Sequence, residues 1–599
     1  MKKFLAGIMF LAVIASGAGC STVISKAMGV NAGEHERMKV EMNVMVPMRD
    51  GIKLATDIYR PAKPGKYPVV LNRMPYGTDE DTFKILGKFY VRHGFIFLNQ
   101  DTRGTFDSEG EYFPLVFERE DGIDTIKWIS QQPWCSGKIG TWGISYFGYT
   151  QWAEAPDDPL LTAMNPVFGT GSIFKFAFRG GALSYVQMIP WNTGMENSKR
   201  RKNGIKEMMA VVLLPGGFYN EPLRDARKVD QYTLIKDPAE MKKGVFHWFE
   251  HPGDIVGVPA LMFDGMYSHV TAPSLQIAGW YDQALGPMLD DFVNIHKEGA
   301  GNSRQTRIII GPWTHGMPGV PNNKIFHQHK LDGIRIYGRD LISWYDFWLR
   351  GINNGADKDA PVKLFVMGED KWRNENEWPL ARTKWTPFYI SSAGKANSIK
   401  GDGKLVMAEP KNETADKFDY DPANPAPTLG GAYLPHAQWT AGSTNQSPAE
   451  KRNDALVYAT EPLKDAVEVT GPVKMILYAA SDAKDTDFTA KLVDIWPNGK
   501  AYNLCDGILR ARYRDGLLKP TLLEPGKTYK YEIDMWATSN LFKPGHRIAV
   551  EISSSNFPQF DRNTNCGGEG GKDCRKIAHQ VILHDAANPS HIVLPVIPR

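Results

Sequence analysis

Six residues, Gly143-Ile144-Ser145-Tyr146-Phe147-Gly148, carry the sharpest chemical pattern in the chain. Ser145 follows a β run and opens a helical stretch through Thr150, Gln151, Trp152 and Ala153, which is the strand-turn-helix setting of a nucleophile elbow. So tight a turn strains the serine backbone and crowds its neighbours, and small residues are needed there; Gly143 and Gly148 supply them. The turn projects the Ser145 hydroxyl above the sheet at a helix N-terminus and sets the Tyr146 amide where an oxyanion would form. Alone, Gly-x-Ser-x-x-Gly is a weak pattern.

Serine is a poor nucleophile at neutral pH, so this chemistry requires a histidine base oriented by a carboxylate, in the chain order Ser, Asp, His. Asp282 ends the run Leu275-Gln276-Ile277-Ala278-Gly279-Trp280-Tyr281-Asp282, and His315 ends Ile308-Ile309-Ile310-Gly311-Pro312-Trp313-Thr314-His315. The competing readings are a helix cap for Asp282 and a capped or core-satisfied position for His315. A second oxyanion donor belongs in the loop after the third strand, Asn72-Arg73-Met74-Pro75-Tyr76-Gly77. The Tyr76 phenol is one candidate there; simple packing beside a proline is the alternative. Phe174, Phe178, Trp191, Trp280 and Tyr281 suit an apolar acyl or leaving-group pocket, and equally a core. Asp101 and Arg103 read as a structural ion pair or cap near the site.

The elements that must position these residues are legible as patterns. From 38 to 166, short apolar runs (Val40 to Val46, Lys53 to Tyr59, Tyr67 to Asn72, Phe95 to Asn99, Ile139 to Ile144) alternate in their later part with helical stretches, Thr82 to His93 and Arg119 to Gln131. That alternation predicts a largely parallel sheet covered on both faces, the α/β class. Asp50-Gly51 predicts an antiparallel opening turn. Between 167 and 265 the spacing becomes helical and predicts an inserted cap; strand and helix alternation resumes over 266 to 360, at Ser274 to Ala278, Arg307 to Ile310 and Leu341 to Leu349. From 361 to 599, closely spaced β runs separated by turns predict an antiparallel sandwich or jelly roll.

The 599 residues suffice for two to four domains at roughly 100 to 200 residues each. A composition 42% hydrophobic and 23% charged is that of a globular protein, and a net charge of +3 with Lys and Arg dispersed argues against nucleic acid as a partner. Lys2 and Lys3, the apolar stretch Phe4 to Ile14 and the small residues 15 to 19 before Cys20 have the order of an export signal. The small residues before Cys20 resemble a bacterial lipobox, with Gly17 where such motifs usually carry Leu. That reading makes 1–20 a lipoprotein-type signal, Cys20 the lipidation site and the cell envelope the location, with plain secretion or an uncleaved anchor as alternatives. In an oxidising compartment Cys566 and Cys574 can close a short disulfide loop. His327-Gln328-His329 reads as a surface loop, and no spacing asks for a metal or cofactor. No motif speaks to oligomeric state.

Taken together, Pro75-Tyr76, Gln100 to Gly104 with Ser108-Glu109-Gly110, Gly143 to Trp152, Gly279 to Asp282, Gly311 to His315, Asp487 to Leu492 and Phe542 to Arg547 resemble the cocaine esterase and X-Pro dipeptidyl-peptidase family of α/β hydrolases. The resemblance implies an α/β-hydrolase catalytic domain with a helical cap and a C-terminal jelly roll. It also implies a Ser145, Asp282, His315 triad, the Tyr76 hydroxyl and Tyr146 amide as oxyanion hole, and a small ester, amide or short peptide as substrate. Amino acid ester hydrolases of this group carry extra acids just after the triad aspartate; here Gln283, Ala284 and Leu285 follow.

Overall fold

The computed structural model describes residues 28–30, 33, 37–78, 81–188, 191, 263–316, 330–434, 440–568 and 574–599. Cys20, residues 192–262 of the expected cap and His327 to His329 lie outside them.

The chain opens with an antiparallel hairpin, β1 (Met38–Pro47) and β2 (Lys53–Pro61). Its turn is the expected one: Gly51 sits at φ 90°, a conformation that favours glycine, and donates to the Met48 carbonyl at 3.0 Å. Strand and helix then alternate through β3 (Tyr67–Met74), α1 (Asp81–Arg92), β4 (Ile96–Asp101), α2 (Glu118–Ser130), β5 (Cys135–Ile144), α3 (Tyr146–Glu154) and β6 (Leu161–Val167). The region expected as a cap begins with α4 (Ile173–Ala177) and a small hairpin of β7 (Phe178–Arg179) and β8 (Ala182–Leu183). The sheet resumes with β9 (Leu275–Tyr281), α5 (Leu285–Glu298), β10 (Arg307–Thr314), α6 (Lys330–Arg335), α7 (Leu341–Trp348), β11 (Val362–Val366) and β12 (Lys371–Glu375).

These strands build one ten-stranded sheet in the order β1-β2-β4-β3-β5-β6-β9-β10-β11-β12. Every pair from β4 to β11 is parallel, and antiparallel pairs close both edges. β4 lies on one side of β3 and β5 on the other, so the winding reverses between β3 and β5. Open α/β sheets bind ligands outside the carboxyl ends of the strands at such a reversal. Tyr76 and Ser145 leave those two ends.

Two features depart from the sequence expectations. β6 had no strand signal, because Asn165-Pro166 interrupts its apolar run and proline lacks a ladder donor. The Gln151 side chain serves that backbone instead, accepting from Asn165 N–H at 2.9 Å and donating to its carbonyl at 3.1 Å. The expected boundary at 361 also moves: β11 pairs in parallel with β10, and β12 closes the sheet edge. Val362, Leu364 and Phe365 are buried there, and burial on the hydrolase sheet outweighs their resemblance to the β runs that follow.

The C-terminal unit is an eleven-stranded sheet system running from Lys384–Ser391 to His591–Ile597. Its pairings are antiparallel except one, between Lys404–Val406 and Leu456–Ala459. Alternation sets its faces: Asp416, Phe418 and Tyr420 are buried while Lys417 and Asp419 are exposed. One apolar cluster joins the two units, from Trp280 and Phe292 through Phe365 and Trp378 to Met535 and Tyr531. Cys566 and Cys574 are disulfide-bonded, whereas Cys135 and Cys505 are buried free thiols in different clusters.

Candidate active site

Ser145 stands between β5 and α3 with φ 61° and ψ −117°, a conformation that costs a non-glycine residue about 1–3 kcal/mol. Backbone bonds hold it there: its N–H donates to Val167 O at 2.9 Å, and its carbonyl accepts from Gly148 and Tyr149 N–H at 2.9 and 3.1 Å. The flanking glycines are required by contact. A Cβ on Gly143 would meet the Phe147 carbonyl oxygen at 2.4 Å, and one on Gly148 the Gly169 Cα at 2.9 Å.

Asp282 and His315 come to Ser145 from the ends of β9 and β10, adjacent parallel strands. His315 Nε2 lies 2.9 Å from Ser145 Oγ, and His315 Nδ1 lies 2.7 Å from Asp282 Oδ2. Asp282 is fully buried; its other oxygen accepts the Ala284 N–H at 2.7 Å, which leaves Oδ2 for the imidazole. The Phe168 ring packs beside the imidazole, with ring centres 5.8 Å apart.

Ser145 and His315 open onto a cavity of about 190 Å3. Tyr76, Tyr146 and Trp191 line it with them, as do Gln283 and Ala284 just after Asp282. Burial pushes the Tyr76 phenol above its ordinary range, although a bond from Trp191 opposes the shift, so Tyr76 stays a protonated donor. The Tyr146 side chain turns into the core. Its hydroxyl donates to Glu118 Oε1 at 2.7 Å and accepts the Leu115 N–H at 2.9 Å. Its amide occupies the first position of α3, where helix N–H groups have no partner within the helix.

The other aromatic expectations divide. Trp191 lines the cavity, but Trp280 does not: its indole donates to the Phe365 carbonyl at 2.7 Å and its ring packs on Trp378 in the core. Tyr281 likewise points away and donates to Asn503 O at 3.1 Å. Phe174 and Phe178 stack on each other, 5.3 Å apart, in a separate groove beside Trp536. Helical periodicity explains the correction, because Ile173 and Phe176 occupy the other face of α4 and line the cavity. Arg103 pairs with Asp121 at 2.6 and 3.0 Å and with Asp50 at 2.6 Å, in place of the expected Asp101.

Residues 50–317 match the family described as X-Pro dipeptidyl-peptidase (S15 family), and residues 354–593 match the X-Pro dipeptidyl-peptidase C-terminal non-catalytic domain. The chain is 38% identical to the cocaine esterase of Rhodococcus sp. (strain MB1 Bresler) over 94% of its own length and 99% of that protein. It belongs to the cocaine esterase and X-Pro dipeptidyl-peptidase family. Members of this family are serine hydrolases, and the chain is one, of the esterase or dipeptidyl-peptidase kind. Among solved structures, the aminopeptidase of a Thaumarchaeota archaeon is 25% identical with a TM-score of 0.77, covering 94% of this chain and 97% of that one. An α-amino acid ester hydrolase shares the fold, with a TM-score of 0.76 at 23% identity over 93% and 96% of the two chains. The C-terminal family segment begins before β11, so the last two strands of the hydrolase sheet fall within it.

Three residues behind the family's serine elbow escaped the sequence reading. Arg73 is fully buried in β3 and binds Glu118 Oε2 at 3.0 Å, Glu154 Oε2 at 3.2 Å and Gln100 Oε1 at 3.0 Å. Burial raises the Glu118 carboxyl, against the pull of Arg73, and pushes Glu154 up to about 8. The available signal was a lone arginine within an apolar strand, since buried charges are retained only when paired.

Proposed function

We propose that the protein is an esterase with Ser145 as nucleophile, His315 as general base and then acid, and Asp282 as the carboxylate that orients it. The observation carrying this reading is the unbroken Asp282–His315–Ser145 hydrogen-bond chain opening onto an apolar cavity. Ser145 Oγ adds to the ester carbonyl while His315 Nε2 takes its proton, and the oxyanion accepts hydrogen bonds from the Tyr76 hydroxyl and Tyr146 amide. Collapse breaks the ester bond, and His315 returns the proton to the departing alcohol. Water, deprotonated by His315, then attacks the acyl-serine and releases the acid.

Substrate class follows from the lining. Among the described residues around the cavity none carries a carboxylate to pair with a substrate ammonium, and neutral esters with apolar acyl groups fit best. The second reading, an X-Pro dipeptidyl peptidase, draws on the family descriptions and on the Gln187 and Gln283 amides in the lining, which are neutral acceptors for an N-terminal amine. Purified protein assayed on an activated acyl ester and on a Gly-Pro anilide decides between them. Faster anilide turnover would overturn the esterase reading.

The N-terminal segment is read as an export signal that makes Cys20 a lipid anchor on the bacterial envelope, and the C-terminal unit as a jelly roll. Fatty-acid labelling that survives Cys20→Ala would refute the anchor.

A further inference from the structure

Trp191 touches the side chains of both residues assigned to the oxyanion hole. Its indole Nε1 lies 3.1 Å from the Tyr76 hydroxyl oxygen, and its ring stacks on Tyr146 with centres 6.0 Å apart and planes 26° apart. An indole N–H only donates, so the Tyr76 oxygen accepts. With one lone pair of the phenol occupied in this way, its single proton remains to be placed. Among the described residues no acceptor takes it, although Tyr76 is only 5% exposed and lines the same cavity as Ser145 and His315.

We propose that Trp191 is a positioning residue of the oxyanion hole, its indole N–H aiming the Tyr76 hydroxyl proton into the Ser145 cavity. The proposal rests on the reading of Tyr76 as an oxyanion donor. A hydroxyl that accepts a hydrogen bond is polarised and becomes a stronger donor, so Trp191 both orients and strengthens the Tyr76 O–H. The chain leading to Trp191 is held from the C-terminal unit. Leu183 N–H donates to Asp561 Oδ1 at 2.7 Å, Val186 N–H donates to Pro558 O at 3.0 Å, and the Tyr185 ring packs 5.7 Å from Phe557. Leu434 of that unit also lines the cavity. Loops of the C-terminal unit thus reach the segment just before Trp191 and the cavity itself.

A double-mutant cycle tests this on an activated ester. Trp191→Phe keeps an aromatic ring over Tyr146 and deletes the donor. It is expected to lower kcat about ten-fold with KM nearly unchanged, and Tyr76→Phe about a hundred-fold, the scale of one lost oxyanion donor. The double variant is expected to be no slower than Tyr76→Phe alone, because Trp191 acts only through that hydroxyl. Trp191→His, which restores a ring N–H, should recover part of the loss. Equal losses from Trp191→Phe in both backgrounds, a change in KM alone, or no change would reduce Trp191 to packing and overturn the proposal. A Tyr76→Phe variant with undiminished kcat would instead remove the oxyanion reading itself, and the proposal with it. If Trp191→Phe does not fold, Trp191→Leu in the two backgrounds gives the same comparison.

Discussion

A Cβ on Gly169 would sit 2.6 Å from the Cα of Gly148 and 2.8 Å from the Ser145 carbonyl oxygen. The loop after β6 is therefore pressed against the turn that carries Ser145. Phe168, the residue before it, packs on His315, so one loop braces both the serine and the histidine.

Gly169→Ala puts a methyl group where only backbone is available to give way. Overpacking of this kind destabilises by about 1–3 kcal/mol, and here it also tilts the turn that carries Ser145. We expect a lower thermal midpoint together with a kcat loss larger than the stability change explains at the assay temperature. A variant with wild-type kcat would show that the elbow tolerates the shift.

Ser145→Ala removes the hydroxyl proposed as nucleophile and leaves the backbone strain in place, since alanine keeps the Cβ at φ 61°. Ester turnover is expected to fall by at least about a thousand-fold, with fluorophosphonate labelling abolished and thermal stability retained. Residual labelling of the mutant would point to another activated serine.

Glu118→Gln leaves Arg73 fully buried with Glu154 as its remaining carboxylate. Removing one partner from a buried ion pair destabilises by about 3 kcal/mol. Urea denaturation is expected to show the loss directly. Because Glu118 also accepts the Tyr146 hydroxyl hydrogen bond, kcat should fall while KM holds.

His584 is fully buried between Glu413, 2.9 Å from Nδ1, and Asp416, 3.0 Å from Nε2. Burial lowers its pKa, but the bonds to Asp416 and then Glu413 win and raise it above the ordinary histidine value. The folded state therefore holds the proton more tightly than the unfolded state. The stabilisation is complete below the ordinary histidine pKa of about 6.5 and is lost as pH climbs through the raised one. Denaturant midpoints measured from pH 6 upward should fall with pH in the wild type and flatten in His584→Gln. An unchanged slope in the variant would place the dependence elsewhere.

The order Ser145, Asp282, His315 and the strands that end on them are properties of the linear chain, because a parallel strand buried on both faces must be written as a continuous apolar run. The α/β class and the Asp50-Gly51 turn were legible for the same local reason. Tyr76 as a packing residue or a donor was not decided locally; its placement beside Trp191, over a hundred residues away in the chain, belongs to the fold.

What only the tertiary structure decided depends on direction and on distant partners. Phe174 and Phe178 have the composition of a pocket and face away from it, because packing sets which face of α4 meets the cavity and Phe178, the first residue of β7, stacks on Phe174. Trp280 stands two positions before Asp282 in sequence, yet its indole is held in the core by the Phe365 carbonyl, while Asp282 lies past the end of β9 where the chain leaves the sheet. β11 reads like the β runs that follow it and was claimed by the first sheet, whose β10 edge offered a partner. Arg73 with Glu118, and Gly169 against Gly148, are pairings between segments far apart in sequence; residue type shows that a buried charge or a glycine needs a reason, and only the folded chain supplies the neighbour that is the reason.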